Sequence, residues 1–192
     1  MEEQSEVLDP QIELAFTSWP KVVGIISIVW GGLGITCLAC GVGGIFLGTA
    51  FLPPEMREKP LPPTMHIAPW QAVLFTIGFF MAIVLIVAGV QTTRRTMAGR
   101  SLHLFWAVVS FITVAISMYF AWRQTIQMEQ WLNDNPDSPF AKGPRLGRGA
   151  SMAIALCLNA IGLIWPTFCL IWFGLVKRTK ESFGAPPNAD FI

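Results

Sequence analysis

Cys37-Leu38-Ala39-Cys40 is the arrangement in this chain best suited to covalent chemistry. Two thiols three residues apart on a helix share a face and can exchange with a disulfide, provided one of them ionises. The other two of the four cysteines, Cys157 and Cys169, stand far away in sequence. Metal chemistry would need His66 and His103, the only imidazoles, to meet. A third set is polar without being ionic. His103, Ser110, Thr113 and Ser117 recur at helical spacing, and Asn159 stands in an apolar stretch. Such a stripe lines a substrate path or joins helices by hydrogen bonds, and the second use is the expected one. An amide without a partner in hydrocarbon costs several kcal/mol, so Asn159 is expected to face another helix.

The elements that must hold these residues are legible from charge. Four segments contain no Asp, Glu, Lys or Arg: Val22 to Pro54, Pro60 to Thr93, Ser101 to Trp122 and Gly149 to Val176. Each exceeds the roughly 18–20 apolar residues that cross a hydrocarbon core about 30 Å thick. The expected fold is an all-α polytopic membrane protein, four transmembrane helices in an antiparallel bundle, with spans near 22–52, 70–93, 102–122 and 150–176. Residues 1–21 are acidic, with Glu2, Glu3, Glu6, Asp9 and Glu13 where a cleavable signal peptide needs a basic start and an apolar core. Asp9-Pro10 reads as a helix start, and Ile12, Ala15, Phe16 and Trp19 share a face, which predicts a short N-terminal interfacial helix.

Connections follow from turn chemistry. Six prolines between Pro53 and Pro69 predict an extended loop, and Arg94 to Arg100 is short enough to make spans two and three antiparallel neighbours. The helical pattern of span three continues past Arg123 to Trp131, before Asn133-Asp134-Asn135-Pro136 stops it. Pro166 predicts a kink about one turn earlier, near Gly162. The tail 177–192 is expected to be disordered.

Lys21, Arg94, Arg95, Arg100, Lys177, Arg178 and Lys180 crowd the span ends on the side of the termini, whereas the cations of the opposite side lie in longer loops mixed with acids. That density predicts a plasma (inner) membrane protein with both termini cytoplasmic. A net charge of +1 and the absence of a basic, aromatic-interleaved stripe exclude nucleic acid as a partner. With no Asp, Glu, Lys or Arg in any span, ion or proton coupling lacks its usual carriers.

Depth then constrains the chemistry. His66 precedes span two and His103 opens span three, so about 30 Å of membrane separates them and they cannot share a metal. No metal and no cofactor is expected. Measured from Val22, Cys37 lies about 22 Å and Cys40 about 27 Å along the helix, where ionising a thiol is costly. Cys157 lies about 28 Å from Val176, at the depth of Cys40.

Span one carries a second pattern. Gly24, Ser27, Gly31, Gly34, Cys37, Gly41, Gly44 and Gly48 recur at steps of three or four, a continuous face of small residues against which another helix backbone can pack. The whole face is expected to be buried against protein. Trp19 to Leu38 is similar to the first span of small bacterial membrane proteins, a likeness that implies no activity. Four cysteines, four spans and Cys37-x-x-Cys40 resemble the DsbB family of disulfide-generating membrane oxidoreductases. The resemblance implies a thiol–quinone oxidoreductase acting through Cys37 and Cys40. In that family a second cysteine pair sits between spans three and four, and here the loop Arg123 to Gly149 has none. The leading expectation is therefore a non-enzymatic structural or interaction subunit whose glycine face packs on a membrane-protein partner or a second copy of the chain, within the lipid bilayer. The oxidoreductase is the alternative, and a passive channel or carrier lined by span three the weaker one.

Overall fold

The computed structural model describes residues 10–57, 60–142, 147–176 and 183, with the side chains of residues 10–17, 57 and 148 left aside. Among them every regular element is helical. Helix α1 is Pro10–Ala50, α2 the single turn Pro54–Arg57, α3 Pro69–Thr93, α4 Met97–Asp134 and α5 Arg148–Cys169, which continues as a π-helix over Leu170–Leu175. Four stretches, Ser18–Ala50, Pro69–Thr93, Met97–Asp134 and Gly149–Leu175, are long and apolar enough to cross a membrane. The chain is an all-α polytopic membrane protein.

Three expectations need correction. The segment from Pro10 to Trp19 is not a separate interfacial helix, because α1 runs unbroken through Pro20 for 41 residues, about 60 Å. A proline removes one N–H from the helix ladder, and the fully buried ring of Pro20 is instead packed inside the protein. The loop after α1 is extended only in part, at Pro62, His66 and Ala68, with helical turns at α2 and Pro63–Met65 between. In α5 the helix passes Gly162 without interruption, and its departure from α geometry is the π-helix beyond Pro166. The extension of α4 to Asp134 agrees with its sequence pattern, and Asn135 closes it by donating both its backbone and side-chain N–H groups to the Trp131 carbonyl. The tail 177–192 lies outside the described residues except Phe183. That residue is not loose: it is 4% exposed.

The helices pack in chain order, α1 on α3, α3 on α4 and α4 on α5, with α1 and α3 in the most extensive contact. Aromatic pairs close α5 back onto α1: Trp30 with Trp165 and Trp19 with Trp172. Lipid gives helices no hydrophobic reason to associate, so close backbone approach must supply much of the attraction. Gly24 and Gly89 do this for α1 and α3. A Cβ at Gly24 would stand 2.6 Å from the Gly89 carbonyl oxygen, and one at Gly89 would stand 2.6 Å from that of Gly24. Farther along, a Cβ at Gly31 would meet Ile86 at 2.7 Å and the Ala82 carbonyl at 2.9 Å.

Between α3 and α4 the chain reverses in three residues. The Arg95 N–H donates to the Thr92 carbonyl and the Thr96 N–H to that of Gln91, the paired bonds of a Schellman helix end. Arg95 has φ +55°, in the left-handed region where glycine is usual, at a cost of roughly 1 kcal/mol for a residue with a Cβ. Gly99 then lets α4 start hard against α3, since a Cβ there would lie 2.7 Å from both the amide nitrogen and the hydroxyl of Thr92.

The buried core sits at this end of the bundle, here the terminal end, with Val23, Leu85, Trp106, Ala107, Trp165, Cys169, Phe173 and Phe183 in one cluster. At the opposite, loop end, packing is thinner, and Phe46, Leu47 and Phe51 of α1 are exposed. Gly24→Ala is expected to lower stability in detergent by about 1–3 kcal/mol through overpacking against Gly89, measured by thermal or denaturant unfolding. Gly89→Ala should do the same.

Candidate functional site

One polar constellation lies in the core. His103, on the second turn of α4, has its Nδ1 2.7 Å from the Gly99 carbonyl and 3.2 Å from Thr92 Oγ1 of α3. Its Nε2 lies 2.7 Å from Ser27 Oγ of α1. Ser27 Oγ is in turn 2.9 Å from the Val23 carbonyl. Phe173 of the π-helix stacks on the imidazole, centroids 4.6 Å apart and planes at 25°. One ring therefore joins all four spanning segments. Ser27, Thr92 and His103 are each 0% exposed.

A carbonyl can only accept, so Nδ1 carries the proton shared with Gly99. In the neutral ring Nε2 can then only accept, and it shares the single Ser27 hydroxyl proton with the Val23 carbonyl. This is the relation of a nucleophile to a general base oriented by a third group. Catalysis also requires that a substrate reach the hydroxyl. Both side chains are sealed from the surface, with Phe173 over the ring, so the arrangement joins helices instead of activating serine.

Around it runs a chain of rings. Trp165 stacks on Phe168 and Phe168 on Trp172, while Trp19 meets Trp172, Phe173 and Phe183 at centroid distances of 5.7, 6.2 and 5.8 Å. Arg100, one turn before His103, donates from Nε to the Phe173 carbonyl at 2.9 Å. A cation supplied from α4 thus satisfies a carbonyl at the C-terminal end of the last helix, where the dipole favours positive charge. The indole N–H groups of Trp165 and Trp172 are shielded and have no protein partner among the described residues.

The small-residue face of α1 divides. Gly24, Ser27 and Gly31 are buried against the bundle and Gly34 is in ordinary contact with Ala82. Cys37, Gly41, Gly44 and Gly48 are exposed, and a Cβ added at any of these three glycines would meet nothing within 4 Å. Cys37, Cys40 and Cys157 are exposed free thiols, and Cys169 is free and buried. The shared depth of Cys40 and Cys157 does not join them in a disulfide.

Of the polar stripe only His103 crosses between helices. Thr113 returns its hydroxyl to the Val109 carbonyl of its own helix, and Ser110 and Ser117 are half-buried. Asn159 departs from expectation: its amide donates to the Ala155 carbonyl one turn back, so its own helix satisfies it. His66 stays remote from His103, since α3 separates them by about 35 Å between Pro69 and Thr92. No cluster of three His, Cys, Asp or Glu suited to a metal exists among the described residues. At the loop end Pro60, Asp134, Asn135, Pro136, Asp137 and Ser138 line a hollow of about 260 Å³.

The sequence pattern places Ser27 among the small residues and Arg100 among the cations that set topology, and it gives Thr92 and Phe173 no role. The available signal was depth: Ser27 lies six residues inside Lys21, Thr92 two residues inside Arg94, and His103 three inside Arg100. No protein-family model, curated protein or solved structure matches this chain.

Ser27→Ala and His103→Ala are each expected to destabilise the bundle, and a double-mutant cycle should give a coupling of about 0.6–1.7 kcal/mol. Ser110→Ala, which removes no bond between helices, should stay within roughly 0.5 kcal/mol of wild type.

Proposed function

We propose that the chain is a non-enzymatic tetraspan subunit whose first span presents a packing face to a membrane-protein partner or to a second copy of itself. The observation that supports this reading is the division of the glycine face. Its terminal-end half already holds α3 at backbone distance, which demonstrates the kind of surface that fits it, and its loop-end half at Gly41, Gly44 and Gly48 is open. A glycine facing only lipid gains no packing and weakens its helix by about 1 kcal/mol relative to alanine. Gly41→Leu and Gly44→Leu are expected to leave the monomer folded and to abolish the associated species seen by crosslinking or by light scattering in mild detergent. An unchanged association state in both variants would count against the reading.

The same proposal places the protein in the plasma (inner) membrane with both termini cytoplasmic, on the density of Arg94, Arg95 and Arg100 beside the spans. A reporter fused after Ile192 that is active only in the cytoplasm is the expected result.

A second reading, a thiol–quinone oxidoreductase, draws support from the exposure of both thiols of the Cys37-x-x-Cys40 pair. A Cys37→Ala, Cys40→Ala double variant separates the two. Under the first reading abundance, fold and tolerance of thiol stress are unchanged, and a specific loss of disulfide formation in a folded variant would favour the second.

A further inference from the structure

We propose that Phe183 is the latch of a C-terminal strap that returns to the terminal end of the bundle and holds the His103 clamp closed. The last span ends at Leu175, and Val176, with φ −73° and ψ 111°, turns the chain out of the helix. Phe183, eight residues beyond Leu175, is back inside the bundle at 4% exposure. Its ring stands 5.8 Å from that of Trp19 in α1, edge to face, and 6.0 Å from that of Phe173. Trp19 and Phe173 are themselves 6.2 Å apart, so the three rings form a closed triangle joining the first span, the last span and the strap. Each separation lies within the range of about 4.5–7 Å in which aromatic pairs attract.

What the latch holds follows from the next ring inward. Phe173 is 0% exposed and lies on the His103 imidazole at 4.6 Å and 25°. Phe183, Phe173 and His103 are thus successive rings in one line of contact, and the innermost reaches Ser27 of α1 and Thr92 of α3. Phe183 also shares a buried cluster with Val23, whose carbonyl lies 2.9 Å from Ser27 Oγ. It lies outside the four charge-free segments, the last of which closes at Val176, so its burial is not a requirement of crossing the membrane. The C-terminal segment is therefore coupled, through two rings, to the hydrogen bonds that join the spans. An event that draws this segment away uncovers Phe173 and admits water to the clamp.

The test is exchange of the His103 ring N–H with solvent, followed by NMR of the full chain in micelles with isotope-labelled imidazoles. Only two imidazoles are present, and His66 is exposed whereas His103 is buried. In wild type the Nδ1–H held by the Gly99 carbonyl is expected to exchange slowly. Phe183→Ala should speed that exchange by about tenfold or more, because exchange reports the population of local opening, and should leave helicity by circular dichroism unchanged. A peptide of residues 177–192 is then added to the variant at about 1 mM, the order of effective concentration that a short tether supplies. It is expected to restore slow exchange, and the same peptide carrying Phe183→Ala is not. The proposal is overturned if Phe183→Ala keeps the wild-type exchange rate or if the two peptides act alike. Should Phe183→Ala lose its helicity, Phe183 is a residue of the core and not of a separable strap, and the proposal is equally overturned.

Discussion

Helices surrounded by hydrocarbon gain nothing from hiding apolar side chains from one another, because lipid tails are as apolar as leucine. What holds this bundle together must be interactions that lipid cannot match, and the structure concentrates two of them at one end. The imidazole of His103 reaches α1 through Ser27 and α3 through Thr92. A few residues away, Gly24 and Gly89 bring the backbones of α1 and α3 together. The two depend on each other. The 2.7 Å bond from Ser27 to His103 is possible only because α1 sits close enough on α3 to enter the angle between α3 and α4.

From that constraint the asymmetry of the molecule follows. At the terminal end the connection between α3 and α4 is three residues, Gly99 removes the last obstacle to close contact, and the rings of Trp19, Phe173 and Phe183 pack beneath. At the loop end the connections are long and proline-rich, no hydrogen bond between α1 and another spanning helix is present among the described residues, and the small face of α1 runs out of partner beyond Gly34. Trp70 stacked on Phe120, at 4.5 Å and 7°, ties α3 to α4 there but leaves α1 outside. The bundle is clamped at one end and open along α1 at the other.

Much of this was legible in the sequence, and the reasons differ by level. The spans were readable because ionic groups are so costly in hydrocarbon that their absence marks the membrane outright. The end of α4 was readable because Asn135-Pro136 forbids continuation. The continuity of α1 through Pro20 was not, since a proline near a helix start is tolerated or disruptive according to what surrounds its ring. Nor was the role of Ser27, which a pattern of small residues absorbs without trace: a serine that permits close packing and one that bonds a histidine look identical until the facing helix is known. Asn159 is the converse, a residue whose polarity demanded a partner that its own backbone supplied.

The π-helix of the last span shows why irregularity can matter more than pattern. Pro166 leaves the turn before it short of one hydrogen bond, and the helix resumes with wider winding over Leu170–Leu175. Wider winding changes the face on which later residues emerge relative to a regular helix. Trp165, Phe168 and Trp172 still stack as a continuous ladder. Phe173, the next residue, lies flat against His103 and offers its carbonyl to Arg100. The last span therefore joins the polar clamp by a stacked ring and a main-chain acceptor, with no polar side chain of its own. A scan of its sequence for polar contact residues finds Ser151, Asn159 and Thr167, the last two bonded to their own helix, and passes over the residue that closes the bundle.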